Sequence, residues 1–187
     1  IKSGKIRHVG LSNENPWGIM RFLEEAKNDL PKMITVQNSY SLLNRQYEVG
    51  NAEISMRENV GLLAYSPLAC GVLSGKYING TDQPNSRLNL FKRFVRYSSD
   101  QSTEATRRYL NLAQQFDISL TKMALAFVNQ QPFVTSNIIG ATTLSQLGEN
   151  IESINVELSS TLLAEIEKIH QEIPDPSTCL LYTSDAA

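Results

Sequence analysis

The sequence predicts an α/β fold of parallel strands, on three observations. Short β-type runs alternate with helical runs in the order β-α-β-α-β, then a loop and two helices, then β-α-α, and such alternation implies parallel strands joined by crossovers. Strand ends recur at a near-constant interval: 25 residues separate Asn13 from Asn38, and 27 separate Asn38 from Tyr65. That is the size of one βα unit. Gly-x-Gly-x-x-Gly occurs nowhere, which argues against the alternative, a complete small open sheet of the dinucleotide-binding kind. Four βα units are about half of a (β/α)8 TIM barrel, which typically takes ~250 residues. Four parallel strands with unpaired edges would be awkward alone.

Each element follows from its pattern. Residues 1–5 read as a helix tail closed by Gly4. Residues 6–11 form the first strand, and Pro16 suits the first turn of the next helix, in which Ile19, Phe22, Leu23 and Ala26 recur at helical spacing. Pro31 breaks that helix, and residues 33–38 form the second strand. Residues 47–59 read as a helix with Val49, Ala52, Ile54 and Met56 as its apolar positions. Residues 61–65 form the third strand, stopped by Ser66-Pro67. A polar stretch follows over 71–100. Helices are expected over 102–116 and 121–130, a fourth strand over 134–139, and a helix over 144–153. A last helix spans 158–172, capped by Ser159 or Ser160.

Pro174-Asp175-Pro176 terminates the pattern. Residues 177–187 have no period and resemble translated vector read-through, so the folded unit is expected to cover 1–176. A chain that opens on a helix end reads as a fragment.

Composition narrows the function. With 41% hydrophobic residues the chain can bury a core, and 19 acidic against 17 basic residues give a net charge of −2. That balance offers no electrostatic pull toward nucleic acid or an anionic membrane. The apolar runs are too short to span a bilayer. Two cysteines, Cys70 and Cys179, make no disulfide framework, and no export signal is visible, so a reducing cytoplasm is expected.

In a parallel barrel, chemistry collects at the carboxyl ends of the strands. Here those ends carry Ser12-Asn13, Gln37-Asn38, Tyr65-Ser66-Pro67-Leu68 and Gly140-Ala141-Thr142-Thr143. Amide side chains supply both donor and acceptor and suit a carboxamide. A Tyr face suits a flat heteroaromatic ring. Any one of these could be ordinary turn chemistry; four together point to ligand binding. The insertion after the third strand holds Lys76, Arg87, Lys92, Arg93 and Arg96, which with Ser74 and Gly75 could clasp phosphate. A loop of about 30 residues is usually a lid or a binding loop. His8 and His170 have no metal-ligand spacing, Cys70 lacks a partner, and Glu24, Glu25, Glu165 and Glu167 read as solvated helix faces. The chain offers a binding surface without an evident catalyst.

Four segments then carry a resemblance. Residues 4–13 (GKIRHVGLSN), 36–45 (VQNSYSLLNR), 64–77 (AYSPLACGVLSGKY) and 139–143 (IGATT), the last followed by Gln146, Leu147, Glu149 and Asn150, resemble strands five to eight of the aldo-keto reductases. The likeness runs from Lys2 to Pro176 in order and spacing. It is closest to the bacterial NADP(H)-dependent Tas type, with potassium-channel β-subunits as relatives.

The resemblance implies the carboxyl-terminal half of a (β/α)8 barrel that binds NADPH and reduces a small-molecule carbonyl. Ser12, Asn13 and Gln37 would hold the nicotinamide carboxamide, and Tyr65 would stack on its ring. Ser66, Pro67, Leu68 and Ala69, with Lys76 and Arg87, would meet the phosphates. Gly140, Thr142, Gln146, Glu149 and Asn150 would hold the adenosine and its 2′-phosphate. Many members place Lys-Ser and Arg at that phosphate, where this chain has Gly140-Ala141 and Gln146. The channel-subunit branch shares that departure, so NADP is expected over NAD. The family's catalytic Asp, Tyr, Lys and His lie on strands one to four, ahead of Ile1. The chain alone is therefore expected not to turn over, and neither Tyr40, Tyr47 nor Tyr65 matches the acid Tyr. The alternatives are an NADPH-binding regulatory barrel, as in the channel subunits, and a non-functional fragment.

Overall fold

A computed structural model describes residues 1–78, 87–90 and 96–177. Four strands, β1 (Val9–Ser12), β2 (Met33–Ser39), β3 (Gly61–Tyr65) and β4 (Val134–Asn137), form one sheet in the order β1-β2-β3-β4. Every pairing is parallel, as the alternation predicts. The helices are α1 (Pro16–Glu25), α2 (Asn51–Glu58), α3 (Arg87–Leu90), α4 (Asp100–Gln115), α5 (Leu120–Asn129), α6 (Leu144–Glu152) and α7 (Ser160–Glu172).

Side-chain alternation gives the sheet two unlike faces. Val36 and Asn38 on β2 and Leu62 and Ala64 on β3 are buried under the helices. Their alternates Thr35, Gln37, Leu63 and Tyr65 are only half-buried. Gly10, Thr35, Gly61 and Thr135 lie across this second face, where a Cβ on Gly10 would meet Thr35 and one on Gly61 would meet Thr135. The core sits on the first face. Its centre is α5, whose residues Leu120, Met123, Ala124, Leu125, Ala126, Phe127 and Val128 are all buried. An all-apolar helix must be enclosed on every side, and contacts with the sheet, α4 and α6 do this for α5.

The helix starts follow ordinary capping chemistry. Asn15 accepts from Gly18 N at α1, Ser99 from Ser102 N at α4, Ser119 from Lys122 N at α5, Thr143 from Gln146 N at α6 and Ser159 from Leu162 N at α7. Pro16 occupies the first turn of α1, as expected. Of the two cap candidates for α7, Ser159 is the one used.

Three element predictions need correction. The helix expected over 47–59 is broken: Gln46–Glu48 make one 3₁₀ turn, Gly50 stands at φ +94°, and α2 begins only at Asn51. Helical hydrogen bonding cannot pass through a left-handed residue, so Val49 is 77% exposed rather than a core position, and Met56 is exposed as well. The outer strands are also shorter than expected. β1 starts at Val9, beside a register irregularity, and β4 stops at Asn137. Each has a neighbour on one side only, so half of its pairing energy is missing. At the chain start, Gly4 is left-handed as predicted, but it closes a hydrogen-bonded turn onto Ile1 O.

The carboxyl segment docks back onto the sheet. Asp175 accepts from Arg45 N at 2.6 Å. The Ser177 hydroxyl lies 2.8 Å from Ser102 Oγ, and Ser177 N donates to Leu43 O. Ser177, one residue past the expected boundary, is buried. Glu167, expected on a solvated face, instead accepts from Arg45 Nη1 at 2.8 Å across 122 residues. The Arg45 side chain is only 11% exposed and also grips both oxygens of Glu48 at 2.7 Å. Burial opposes its charge, but these carboxylates outweigh that and hold its pKa above the usual arginine value. Burial, then Glu48 accepting from its hydroxyl, pushes Tyr40 far above the ordinary tyrosine range.

Candidate functional site

The carboxyl ends of β1, β2 and β3 share one end of the uncovered face. Register sets Ser12 beside Gln37, with Gln37 beside Leu63 and Ser39 beside Tyr65. Asn13 follows Ser12 at φ +53° while its N–H still donates to Gln37 O at 2.9 Å. Simple alternation would send its side chain to the helix-covered face with Leu11. Asn tolerates left-handed backbone better than most residues, and that turn brings Asn13 to the open face. There Tyr65 Oη donates to Asn13 Oδ1 at 2.6 Å, across 52 residues, and Asn13 Nδ2 donates to Ser12 Oγ at 3.2 Å. Four residue types expected to bind one ligand therefore converge, two of them directly bonded.

Asn38, the other amide at these ends, turns the opposite way. It is 3% exposed, its Oδ1 accepts from Glu14 N at 3.1 Å, and its Nδ2 donates to Glu14 O at 2.9 Å. It fixes the turn that carries Asn13 and does not face the open side. The period of two that groups Asn38 with Val36 is the sequence signal for this. Asn51 Nδ2 reaches the same Glu14 carbonyl at 3.3 Å. A cleft of about 340 Å³ lies on the outer side of this turn, lined among others by Asn15, Asn44, Gln46 and Asp175. None of the site residues expected from the sequence lines it.

After β3 the chain enters unusual backbone. Ser66, Ala69 and Cys70 have φ of +55°, +48° and +57°, and Gly71 and Gly75 are left-handed too. Such conformations cost of order 1 kcal/mol each at non-glycine residues. Successive turns of this kind aim backbone N–H groups into a concavity that suits anions. Within the loop, Ala69 N donates to Ser66 O, Gly71 N to Leu68 O and Ser74 Oγ to Gly71 O. Pro67 and Ala69 are buried, so they shape the loop, whereas Ser66 and Leu68 are half-exposed. The Lys76 ammonium lies against Gly71, where a Cβ would sit 3.1 Å away, and over the Tyr77 ring at 5.1 Å. A cation thus accompanies the anion-suited loop. Arg87 opens α3, but its side chain, like Lys92 and Arg93, lies outside the described residues. Arg96 donates to Tyr97 Oη at 2.9 Å. Burial, against that guanidinium, pushes the Tyr97 hydroxyl's pKa up.

The fourth group lies beyond β4. Gln146 Oε1 accepts from both the N–H and hydroxyl of Thr142 at 2.9 Å, completing a local cap at the start of α6. Glu149 accepts from Ser119 Oγ at 2.6 Å, and Glu152 pairs with Lys122 at 2.7 Å. These bonds seat α6 on α5. Asn150 is buried and donates to Gly140 O at 3.3 Å, so it braces the turn that Gly140 and Thr142 expose.

The set fits a nicotinamide dinucleotide: neutral hydrogen-bonders and a ring at one end, then an anion-suited loop with a lysine, then a capped helix start. Among the described residues no group of three or more His, Cys, Asp or Glu could hold a metal ion, and no helix is long and apolar enough to cross a membrane.

Comparison with known proteins gives the class. The model of the aldo/keto reductase family matches residues 1–171. The chain belongs to that family. Among its relatives, protein tas of Escherichia coli is 51% identical over 177 residues, covering 94% of this chain and 51% of that protein. An aldo-keto reductase of Babesia bovis is 40% identical over 185 residues, with 94% and 65% covered. L-glyceraldehyde 3-phosphate reductase of E. coli is 35% identical over 181 residues, with 94% and 51% covered. The chain spans about half the length of the two E. coli relatives.

Proposed function

We propose that the full-length protein is a cytoplasmic oxidoreductase that uses NADPH to reduce aldehydes or ketones to alcohols. This chain supplies strands five to eight of its (β/α)8 barrel and most of its cofactor site. The observation that carries the reading is the strand-end cluster: Ser12, Asn13, Gln37 and Tyr65 meet on the uncovered sheet face, beside the left-handed loop and Lys76. The reductase name of the glyceraldehyde 3-phosphate relative supports a carbonyl substrate.

Bound NADPH would supply the hydride. The chain's own residues bind and orient. Ser12, Asn13 and Gln37 hold the carboxamide, and Tyr65 backs the nicotinamide ring. The loop from Ser66 to Ala69, with Lys76 and Arg87, neutralises the pyrophosphate. Gly140, Thr142 and Gln146 receive the adenosine end, with Glu149 and Asn150 holding that turn in place. Fixing the ring on a rigid sheet end removes much of the entropy cost of reaching a reactive geometry.

The test is NADPH oxidation by the protein expressed from its complete reading frame, assayed with a panel of aldehydes and ketones. Multiple turnovers with at least one carbonyl are expected. Stoichiometric cofactor binding without turnover would replace the enzyme reading with a regulatory one, and failure to bind NADPH would end both.

A further inference from the structure

The bond between Tyr65 and Asn13 does more than join two site residues. It is short, at 2.6 Å, and links strands separated by 52 residues, yet it lies at an exposed position. Water competes for exposed hydrogen bonds, so this one contributes little to stability. What it controls is direction. A phenol that donates to Asn13 must face Oδ1, which turns Nδ2 toward Ser12 Oγ, as observed at 3.2 Å. Ser12 Oγ then accepts, so its own proton points outward, and Asn13 keeps one outward N–H. The chain Tyr65 → Asn13 → Ser12 thus sets one polarity, in which the β1 end presents donors only. The left-handed backbone at Asn13, anchored by its N–H to Gln37 O, holds the amide within reach of the phenol.

We infer that the Tyr65 hydroxyl is a positioning group that fixes the Asn13 amide, so that Ser12 and Asn13 together recognise a carbonyl oxygen on the ligand. In the carboxamide this oxygen goes to Ser12 and Asn13, and the amino group falls to the Gln37 side. The inference rests on the proposed cofactor site. It gives the hydroxyl a role separate from stacking, because phenylalanine would keep the ring and lose the direction.

The experiment measures equilibrium affinity of the full-length protein for three oxidised dinucleotide phosphates. One is NADP itself, one carries 3-acetylpyridine (carbonyl kept, amino group lost), and one carries 3-aminopyridine (carbonyl lost). The unaltered protein should bind the first two alike and the third about tenfold more weakly, the worth of a hydrogen-bonded pair left unmet. Tyr65→Phe should weaken the first two by about fivefold and leave the third unchanged. Asn13→Ala should narrow the same gap, and adding Tyr65→Phe to it should change nothing further. The inference is overturned if Tyr65→Phe shifts all three ligands by one factor, or shifts none. If the unaltered protein binds none of the three, the cofactor reading itself fails.

Discussion

Asn38 is the residue on which the geometry of the first strand end depends, and replacing it isolates that dependence. Its amide makes two bonds to the backbone of Glu14, at 3.1 and 2.9 Å, from a position only 3% exposed. Asn38→Ala removes both. Each neutral bond contributes about 1 kcal/mol net, and a buried group left unpaired adds ~1–3 kcal/mol. Glu14 O keeps the Asn51 amide at 3.3 Å, so only the Glu14 N–H loses its partner, at a half-buried site. The expected loss is about 2–3 kcal/mol. Asn38→Asp should lose more, because a buried carboxylate would face the Glu14 carbonyl, acceptor against acceptor. Urea unfolding of the full-length protein measures both, and NADP binding should weaken alongside because Asn13 rides on the same turn. If Asn38→Ala unfolds within about 0.5 kcal/mol of the unaltered protein, the Asn38–Glu14 pair does not hold the turn and the argument is wrong.

Two further outcomes follow from the Arg45 cluster. Glu48→Ala leaves a guanidinium only 11% exposed with one carboxylate of two, and takes the acceptor from buried Tyr40. It should cost about 3 kcal/mol in the same unfolding assay, whereas Glu53→Ala, which breaks the exposed pair with Arg57, should cost under about 0.5 kcal/mol. The Arg45 guanidinium beside Glu167 holds that carboxyl below the usual glutamate range. A folded-state pKa below the unfolded value gives stability that is complete above the unfolded value and lost as pH falls through the folded one. Unaltered protein should therefore exceed Glu167→Gln in urea midpoint near neutral pH, with the gap closing below the ordinary glutamate range. A gap that is constant with pH would show that the ion pair is not its source.

The sequence by itself determined the order of elements, the parallel pairing and the strand ends, because each rests on local information. Periods of two and 3.6, Pro16 in a first turn, and Ser, Thr and Asn caps are all legible within a few residues. The candidate ligand residues were legible for the same reason: they sit at strand ends whose spacing is read directly. Tertiary structure decided the rest. The turn at Gly50 was hidden because the apolar spacing runs straight through it, and only the backbone shows that φ there is +94°. Whether an amide at a strand end faces ligand or framework depends on which face of the sheet the helices cover. That is why Asn13 and Asn38, alike in the sequence, part company: left-handed backbone swings one to Tyr65, and alternation buries the other against Glu14. Glu167 looked like a solvated helix face because its partner Arg45 lies 122 residues away. Pairing over such distances is set by how helices pack on the sheet, and no window along the chain contains it.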